Sequence, residues 1–555
     1  MASPHDGVHK ISDSYVDDLA ALDPILATYE GIVGYDDRMP DLSPDGVAAR
    51  AELARRALAA MAAAEPADKS EADAKAVFTE RVGVVADLYD AGELTAPLNV
   101  IASAPQDIRQ VFDLMATETA DDWAVIAKRL AGVPDALAGY RAALLAAADA
   151  GQAPALRQVV KTAEQCRVAA DGHFTGLVAG ASVTSDALRA DLDAAAGKAA
   201  AAYGELAEFL TGELAARAPR EDAVGERRYQ LWSRNFLGAR IDLHEAYEWG
   251  WAEFSRVEAE IKQVAERIAP GAGIAGAAAA LDADPRYRIA GKQAFQDWMQ
   301  GLSDQALADL RGVHFDIPDR LMALECLIAP PGGVVGAYYT GPTEDFSRPG
   351  RMWWSVPDGK TDYSTWREVT TVYHEGAPGH HLQIATAVFQ GDSLNRFQRS
   401  MAWVSGHGEG WALYAERLMR EFGYLDDDGN LLGMLDAHLF RAARVVIDLG
   451  VHLGLEIPRG TGFHEGERWN AELALEFLRT RTITDPDCIA DEVDRYLGWA
   501  GQAPAYKLGE RLWLAARDEV KARKGSAFDL KEFHQRALEM GGMGLDTLRE
   551  RLALL

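Results

Sequence analysis

The chain has 555 residues, 48% of them apolar, with 56 lysines and arginines against 85 aspartates and glutamates, a formal net charge of −29. That length and apolar share can bury a sizeable core, and the acidic balance argues against nucleic acid and anionic membrane surfaces as partners. Three cysteines, Cys166, Cys326 and Cys488, match no paired metal-binding spacing and predict buried thiols rather than a disulfide framework.

The first residues, MASPHDGVHKISDSYVDDLA, have no basic segment followed by an apolar run, which predicts no signal peptide and a cytoplasmic location. The longest apolar run, around Gly271 to Leu281, consists of small residues and is too short to span a bilayer. Residues 11–35 read as helix with a turn near Pro24, and Asp36 to Pro44 is a turn-rich link. From Pro44 to about Ala218, apolar residues recur at three and four, as in Val82, Val85 and Leu88. This predicts five or six long helices, with breaks near Ala91–Pro97, Gly151–Pro154 and Ser182–Ser185. His173 stands alone there and reads as structural. Pro219 to Arg320 continues helical, with the alanine run Ala275–Ala280 inside a helix. The pair His244-Glu245 has no histidine close downstream and reads as helix composition.

At Leu321 the pattern changes. Met322 to Ile328 is nearly all apolar, Pro330 to Gly333 turns the chain, and Val334–Tyr339 and Arg351–Val356 are rich in β-branched and aromatic residues. A small sheet or hairpin is expected here. Peptidases can hold an extended substrate against an edge strand, so Tyr338, Tyr339 and Arg351 are candidate substrate contacts. A purely structural hairpin is the alternative.

Val372-Tyr-His-Glu-Gly-Ala-Pro-Gly-His-His-Leu-Gln383 holds three of the 13 histidines. A His-Glu pair followed by another histidine is how a zinc hydrolase is built: imidazoles hold the metal and the glutamate serves as general base. The usual spacing places the histidines four apart on one helix face. Here His380 follows His374 by six and His381 by seven. Six residues rotate about 600°, which takes His380 off the face, and His381 would stand about 10 Å along the axis, too far for one ion. Pro378, Gly376 and Gly379 allow a distortion, and a bulge of two extra residues would return His380 to the place of the second ligand. His381 stays in reserve. The alternative is a turn between two helices with surface histidines. A third ligand is available in Ser405-Gly-His-Gly-Glu-Gly-Trp-Ala-Leu-Tyr-Ala-Glu416. Glu409 and Glu416 are seven apart, hence on one helix face. One can bind metal while the other orients a histidine.

HEGAPGHHLQ, GHGEGWALYAE and RYLGWAGQAPAYKLGE resemble a large bacterial family known only as domain of unknown function 885, nearly end to end. More distantly, they are similar to helical zinc metallopeptidases of the angiotensin-converting enzyme, thimet oligopeptidase and Thermus carboxypeptidase types. Gly379-His-His-Leu382 is similar to the segment around the second zinc histidine of the thimet type. Glu409 to Glu416 is similar to a Thermus-type segment whose first glutamate binds zinc. The two-residue insertion between the histidines is the departure. The resemblance also makes the segment with Asp448 and His452 line the site, so His452 is a candidate substrate contact; read alone, that pair is a satisfied helix contact. Phe463-His-Glu-Gly-Glu467 reads as the opening of a helix, where acids suit the dipole. Gln502-Ala-Pro-Ala-Tyr-Lys-Leu-Gly509 looks like a Thermus-type segment, which implies Tyr506 as oxyanion donor, with Tyr496 and Arg495 behind it. Arg495, Gln502 and Lys507 are then candidate substrate contacts.

The expectation is a mostly α protein: an amino-terminal helical lobe, 1–220, and a metal-site lobe, 221–555, integrated around a groove, with a small hairpin or sheet beside the active helix. One zinc per chain is held by His374, His380 and Glu409, with Glu416 behind them and Glu375 as base, acting on short peptides or a small amide. A non-peptide amide as substrate, iron in place of zinc, and a helical binding protein without metal are the alternatives.

Overall fold

A computed structural model describes residues 7–329, 336–357, 359–391, 393–484 and 486–554. The Pro330–Gly333 turn, the start of the Val334 strand and residues 1–6 of the leader reading lie outside the described residues. The chain divides into two compact units, Met1–Val224 with Asp491–Trp499, and Gly225–Ala490 with Ala500–Leu555. The short segment 491–499 thus joins the first unit from within the stretch expected to form the metal-site lobe.

The first unit is helical. Val8–Leu22 and Pro24–Tyr29 flank the Pro24 turn, and Asp23 caps the second helix through the Leu26 amide. Six long α-helices lie between Pro44 and Phe209, as expected, with two short ones, Ala104–Gln110 and Phe174–Ala179, between them. The extra breaks have local causes that apolar periodicity does not carry. Asp68 caps Lys69–Asp90 through the Glu71 amide, and Thr119 and Asp122 close a reciprocal capping box at the head of Ala120–Ala131. The core holds Phe112, Trp123, Leu130, Tyr140, Leu144, Phe174 and Tyr203. Cys166 and Cys326 are buried, whereas Cys488 is exposed, contrary to expectation.

The second unit carries five short strands among the described residues. β1 (Arg288–Ala290) pairs antiparallel with β5 (Asp362–Ser364); three residues are too few to show alternation, so β1 was read as helix. β2 (Leu324–Ile328), β3 (Ala337–Thr340) and β4 (Gly350–Trp354) form a sheet in the order β2-β4-β3. β2 runs parallel to β4, with Leu324 opposite Gly350, and β3 is antiparallel, with Ala337 opposite Trp354. Gly350, Met352 and Trp354 point inward along β4.

Lys292–Leu310 packs on β2, Glu368–Glu375 on β3 and His380–Phe389 on β4, and the same unit holds the helices Leu243–Ile268, Ser405–Glu421, Asp428–Leu453 and Ala505–Lys524. Two of them touch backbone to backbone. A Cβ on Gly410 would lie 2.4 Å from the carbonyl carbon of Gly509, and one on Gly509 would lie 2.2 Å from the oxygen of Gly406. Only glycine permits that approach of Ser405–Glu421 to Ala505–Lys524. Trp411 and Trp513 pack edge to face beside the crossing, ring centres 5.1 Å apart. His244-Glu245 is exposed at a helix start capped by Asp242. His464 lies in a turn, bonded to Glu467 and Glu476, and the next helix begins only at Ala471, so that pair does not open a helix. No helix among the described residues is long and apolar enough to cross a membrane.

Candidate metal centre

The helix Glu368–Glu375 stops at the Gly-Ala-Pro-Gly run and a second helix starts at His380. Pro378 has no N–H to continue the ladder, and the Ala377–Pro378 peptide is cis. The Gly376 amide donates to the Val372 carbonyl at 2.8 Å, the Gly379 amide to Tyr373 at 3.1 Å, and the His381 amide to Gly376 at 3.2 Å. A Cβ on Gly379 would stand 1.9 Å from the His374 oxygen, so glycine is obligatory there. The expected two-residue bulge is therefore a clean break between two helices. The break brings the rings of His374 and His380 to 4.9 Å between centres, at 87°.

Glu409, from Ser405–Glu421, reaches between them. Its Oε2 is 3.2 Å from His374 Nε2 and 3.5 Å from His380 Nε2. One donor atom from each of the three residues lies within 4.8 Å of the others. His374 and His380 are 3% and 6% exposed, and Glu409 is half-buried, so water reaches the cluster from the side of Glu409 alone among the three. Behind His374 stands Glu416, fully buried, with Oε1 2.8 Å from Nδ1 and Oε2 accepting from the Thr370 hydroxyl at 2.5 Å. A carboxylate that only accepts puts the His374 proton on Nδ1 and turns the Nε2 lone pair toward Glu409 and His380.

Lone pairs converging in a largely buried place favour a positive charge between them, a proton or a metal ion. Burial opposes charge on His374, yet its bonds to Glu409 and Glu416 outweigh this and raise its pKa to about 9. Burial likewise opposes charge on Glu409, and the two histidines hold its carboxyl well below the usual range. Two imidazoles and a carboxylate within one ion's reach are a donor set that suits zinc. Among the described residues, His380 Nδ1 is buried without a hydrogen-bond partner and no second carboxylate backs that ring. Glu375 is buried; burial raises its pKa, and the charges of His380 and His374 work against the rise.

His381 is used elsewhere. Its Nε2–H donates to the Leu321 carbonyl at 2.8 Å and its Nδ1 accepts from the Tyr339 hydroxyl at 2.9 Å. With both nitrogens spent it has no lone pair for a metal, and burial lowers its pKa to about 4. Tyr339 therefore supports the second histidine helix from strand β3. Tyr338 stacks on Trp353 at 6.1 Å, and Arg351 pairs with Glu325 at 2.7 Å.

Two expected substrate contacts are corrected. Lys507 is fully buried, with its ammonium against Glu253, Glu510 and His438, so it has no face for a substrate. His452 is also fully buried, 4.0 Å from Asp448 and beside the Tyr229 ring. Tyr506, near the start of Ala505–Lys524, is partly exposed under the Arg444 guanidinium, 4.9 Å from its ring. Gln502 is buried. Arg495 and Tyr496 lie in the first-unit segment and both bond to Glu492. Sequence reasoning missed Thr370, His438, Arg441 and Trp403. Thr370 was within reach, one helical turn before His374 on the same face. Arg441 supplies positive charge to both Glu375 and Glu416. The Trp403 ring stands 5.8 Å from that of His380 and is 47% exposed.

Residues 24–552 match the model of a family described as "Bacterial protein of unknown function (DUF885)". The chain belongs to that family. No curated protein matches it. Among solved structures it is similar to "the putative lipoprotein from Colwellia psychrerythraea", 22% identical over 99% of this chain and 98% of that one, TM-score 0.84. It is also similar to "a putative lipoprotein of unknown function from Shewanella oneidensis", 18% identical over 99% and 100% of the two chains, TM-score 0.76. A third structure, "a putative oligoendopeptidase F from Bacillus anthracis str. Ames", is 13% identical over 92% and 88%, with a TM-score of 0.33, too low to carry an argument. The first two likenesses fix a mostly α fold with small sheets. Their descriptions as lipoproteins overturn the cytoplasmic expectation. That expectation rested on a missing leader pattern, and a missing pattern does not carry a location.

Proposed function

We propose that the chain is a zinc-dependent hydrolase of amide bonds in short peptides, with one zinc held by His374, His380 and Glu409. The observation that carries this reading is the convergence of those three donors, two buried and one half-buried, near the buried carboxylate of Glu375. Zinc, when bound, supplies Lewis acidity to the scissile carbonyl and the attacking water. Glu375 takes the proton of that water at its carboxylate and passes it to the leaving amine. Burial and the neighbouring glutamate Glu409 raise its proton affinity, which suits a group that must hold a proton between two steps. Glu416 keeps His374 in the Nδ1–H tautomer. Tyr506 donates its phenol to the oxyanion, a role that rests on the resemblance of its segment. The edge strand β3 offers Tyr338 and unpaired backbone to an extended peptide.

The test uses a panel of free and blocked dipeptides with the zinc-loaded protein. Glu375→Gln is expected to keep about one zinc per chain and to lose about 10²–10⁴-fold in turnover. Turnover retained in that variant overturns the assignment of the base. Wild-type protein that holds zinc yet cleaves nothing on the panel overturns the peptide reading.

A further inference from the structure

Lys507 is the feature that the proposed function leaves unexplained. It is 0% exposed, and each of its three N–H bonds has a partner: Glu253 Oε1 at 3.0 Å, Glu510 Oε2 at 2.5 Å and His438 Nδ1 at 2.9 Å. The two carboxylates are shared with further cations. Arg417 reaches Glu510 at 2.7 Å and Arg256 reaches Glu253 at 2.7 Å. The carboxylates only accept, so the Lys507 nitrogen donates to them, and the ammonium has only donors to offer its third partner. His438 Nδ1 must therefore accept, which leaves its proton on Nε2.

His438 projects from Asp428–Leu453 and is 2% exposed. Its Nε2 lies 3.4 Å from Glu416 Oε2, a contact too poorly formed for a hydrogen bond, and has no hydrogen-bond partner among the described residues. The carboxylate of Glu416 thus faces three donors: the Thr370 hydroxyl, the His438 Nε2–H and the His374 Nδ1–H. Lys507 donates to His438, and His438 and His374 both aim an N–H at Glu416, so four groups in series join Lys507 to His374.

We propose that Lys507 and His438 are positioning residues of the metal centre: the buried ammonium fixes the tautomer of His438, His438 and Thr370 orient Glu416, and Glu416 presents the Nε2 lone pair of His374. The role in zinc binding rests on His374 being a ligand. The contacts run from helix Ala505–Lys524 through Asp428–Leu453 to Glu416 of Ser405–Glu421, which His374 of Glu368–Glu375 meets from the other side, so one buried chain ties four helices to one coordinating atom. A burial cost of this size for six charged or polar side chains has no packing rationale, since apolar residues would fill the same space without it.

Two measurements test the chain. The first labels histidine with 15N in the metal-free and zinc-loaded protein and reads tautomers from two-bond 1H–15N correlations, with His438→Gln used to assign the signal. The neutral Nε2–H form of His438 is expected in both states; an imidazolium or an Nδ1–H form overturns the proposal. The second measures the zinc dissociation constant by chelator competition, beside thermal unfolding of the metal-free protein. Lys507→Met and His438→Phe are expected to weaken zinc binding about tenfold or more, while His438→Gln, which can both accept and donate, restores most of the affinity. Lower melting with unchanged zinc affinity means a structural role only and overturns the proposal. A wild-type chain with no measurable zinc affinity marks the separate failure of the metal reading, and the positioning role in zinc binding falls with it.

Discussion

His380 and His381 are adjacent and equally buried, yet only one faces the cluster of donors. The difference is made by Tyr339 and the Leu321 carbonyl, which occupy both nitrogens of His381. Replacing His381 by Phe strands a buried hydroxyl and a buried carbonyl. The expected cost is about 1–3 kcal/mol of unfolding free energy in urea, with zinc content unchanged. A second residue gives a pH dependence. His534 is held in the core against Phe315 and Tyr414, and burial lowers its pKa to about 3. Its folded pKa is below the unfolded value of about 6.5, so the unfolded state binds the proton first. The stability it contributes is present above pH 6.5 and is lost as pH falls toward 3. His534→Phe should flatten the fall in urea stability between pH 6.5 and 4 by up to about 1.4 kcal/mol per pH unit. At this scale the sequence was legible where neighbours in the chain are neighbours in space. His374, Glu375 and the Glu409–Glu416 pair could be read from spacing; the choice between His380 and His381 could not, because Tyr339 and the Leu321 carbonyl, distant in the chain, make it. Lys507 and His452 were misread, because their partners Glu253, His438 and Tyr229 lie far away in the chain and only the fold brings them together.

At the scale of elements, two close approaches set the site. Gly379 lets the second histidine helix begin against the His374 carbonyl, and Gly410 lets the helix of Glu409 rest on Ala505–Lys524. A methyl group at Gly379 must push the two helices apart, so Gly379→Ala is expected to abolish stoichiometric zinc while circular dichroism stays helical. Gly410→Ala places a Cβ inside van der Waals contact of Gly509 and should cost about 1–3 kcal/mol of stability, read by urea unfolding. Apolar periodicity gave the helical character of nearly every long segment and the β change at Leu321. It did not give the interruptions at Asp68 and Thr119, which are made by capping side chains, nor β1, which owes its existence to pairing with β5. The break at Gly376–Gly379 was expected from Pro378 and the glycines, but its form, two helices instead of one bulged helix, depends on the carbonyls that fill the gap.

At the scale of the whole molecule, the three donors of the proposed metal site all come from the second compact unit. Zinc at 100 times its dissociation constant would stabilise the folded state by about 2.7 kcal/mol. Hydrogen exchange should report that gain unevenly. Amides in Glu368–Glu375, His380–Phe389 and Ser405–Glu421 are expected to slow on adding zinc, and those in Ala120–Ala131 and Asp186–Phe209 of the first unit to stay as they were. Uniform slowing across both units would count against a site confined to the second. The net charge of −29 bears on solubility, and it gives no hint of the site, whose charges are balanced locally.

The most direct measurement is elemental analysis of zinc in freshly purified protein, with His380→Ala and His381→Ala beside the wild type. About one zinc per chain in the wild type and in His381→Ala, with none in His380→Ala, is the result that three converging donors predict. A wild-type chain that stays metal-free after zinc is offered, or zinc lost from His381→Ala and kept in His380→Ala, would contradict it.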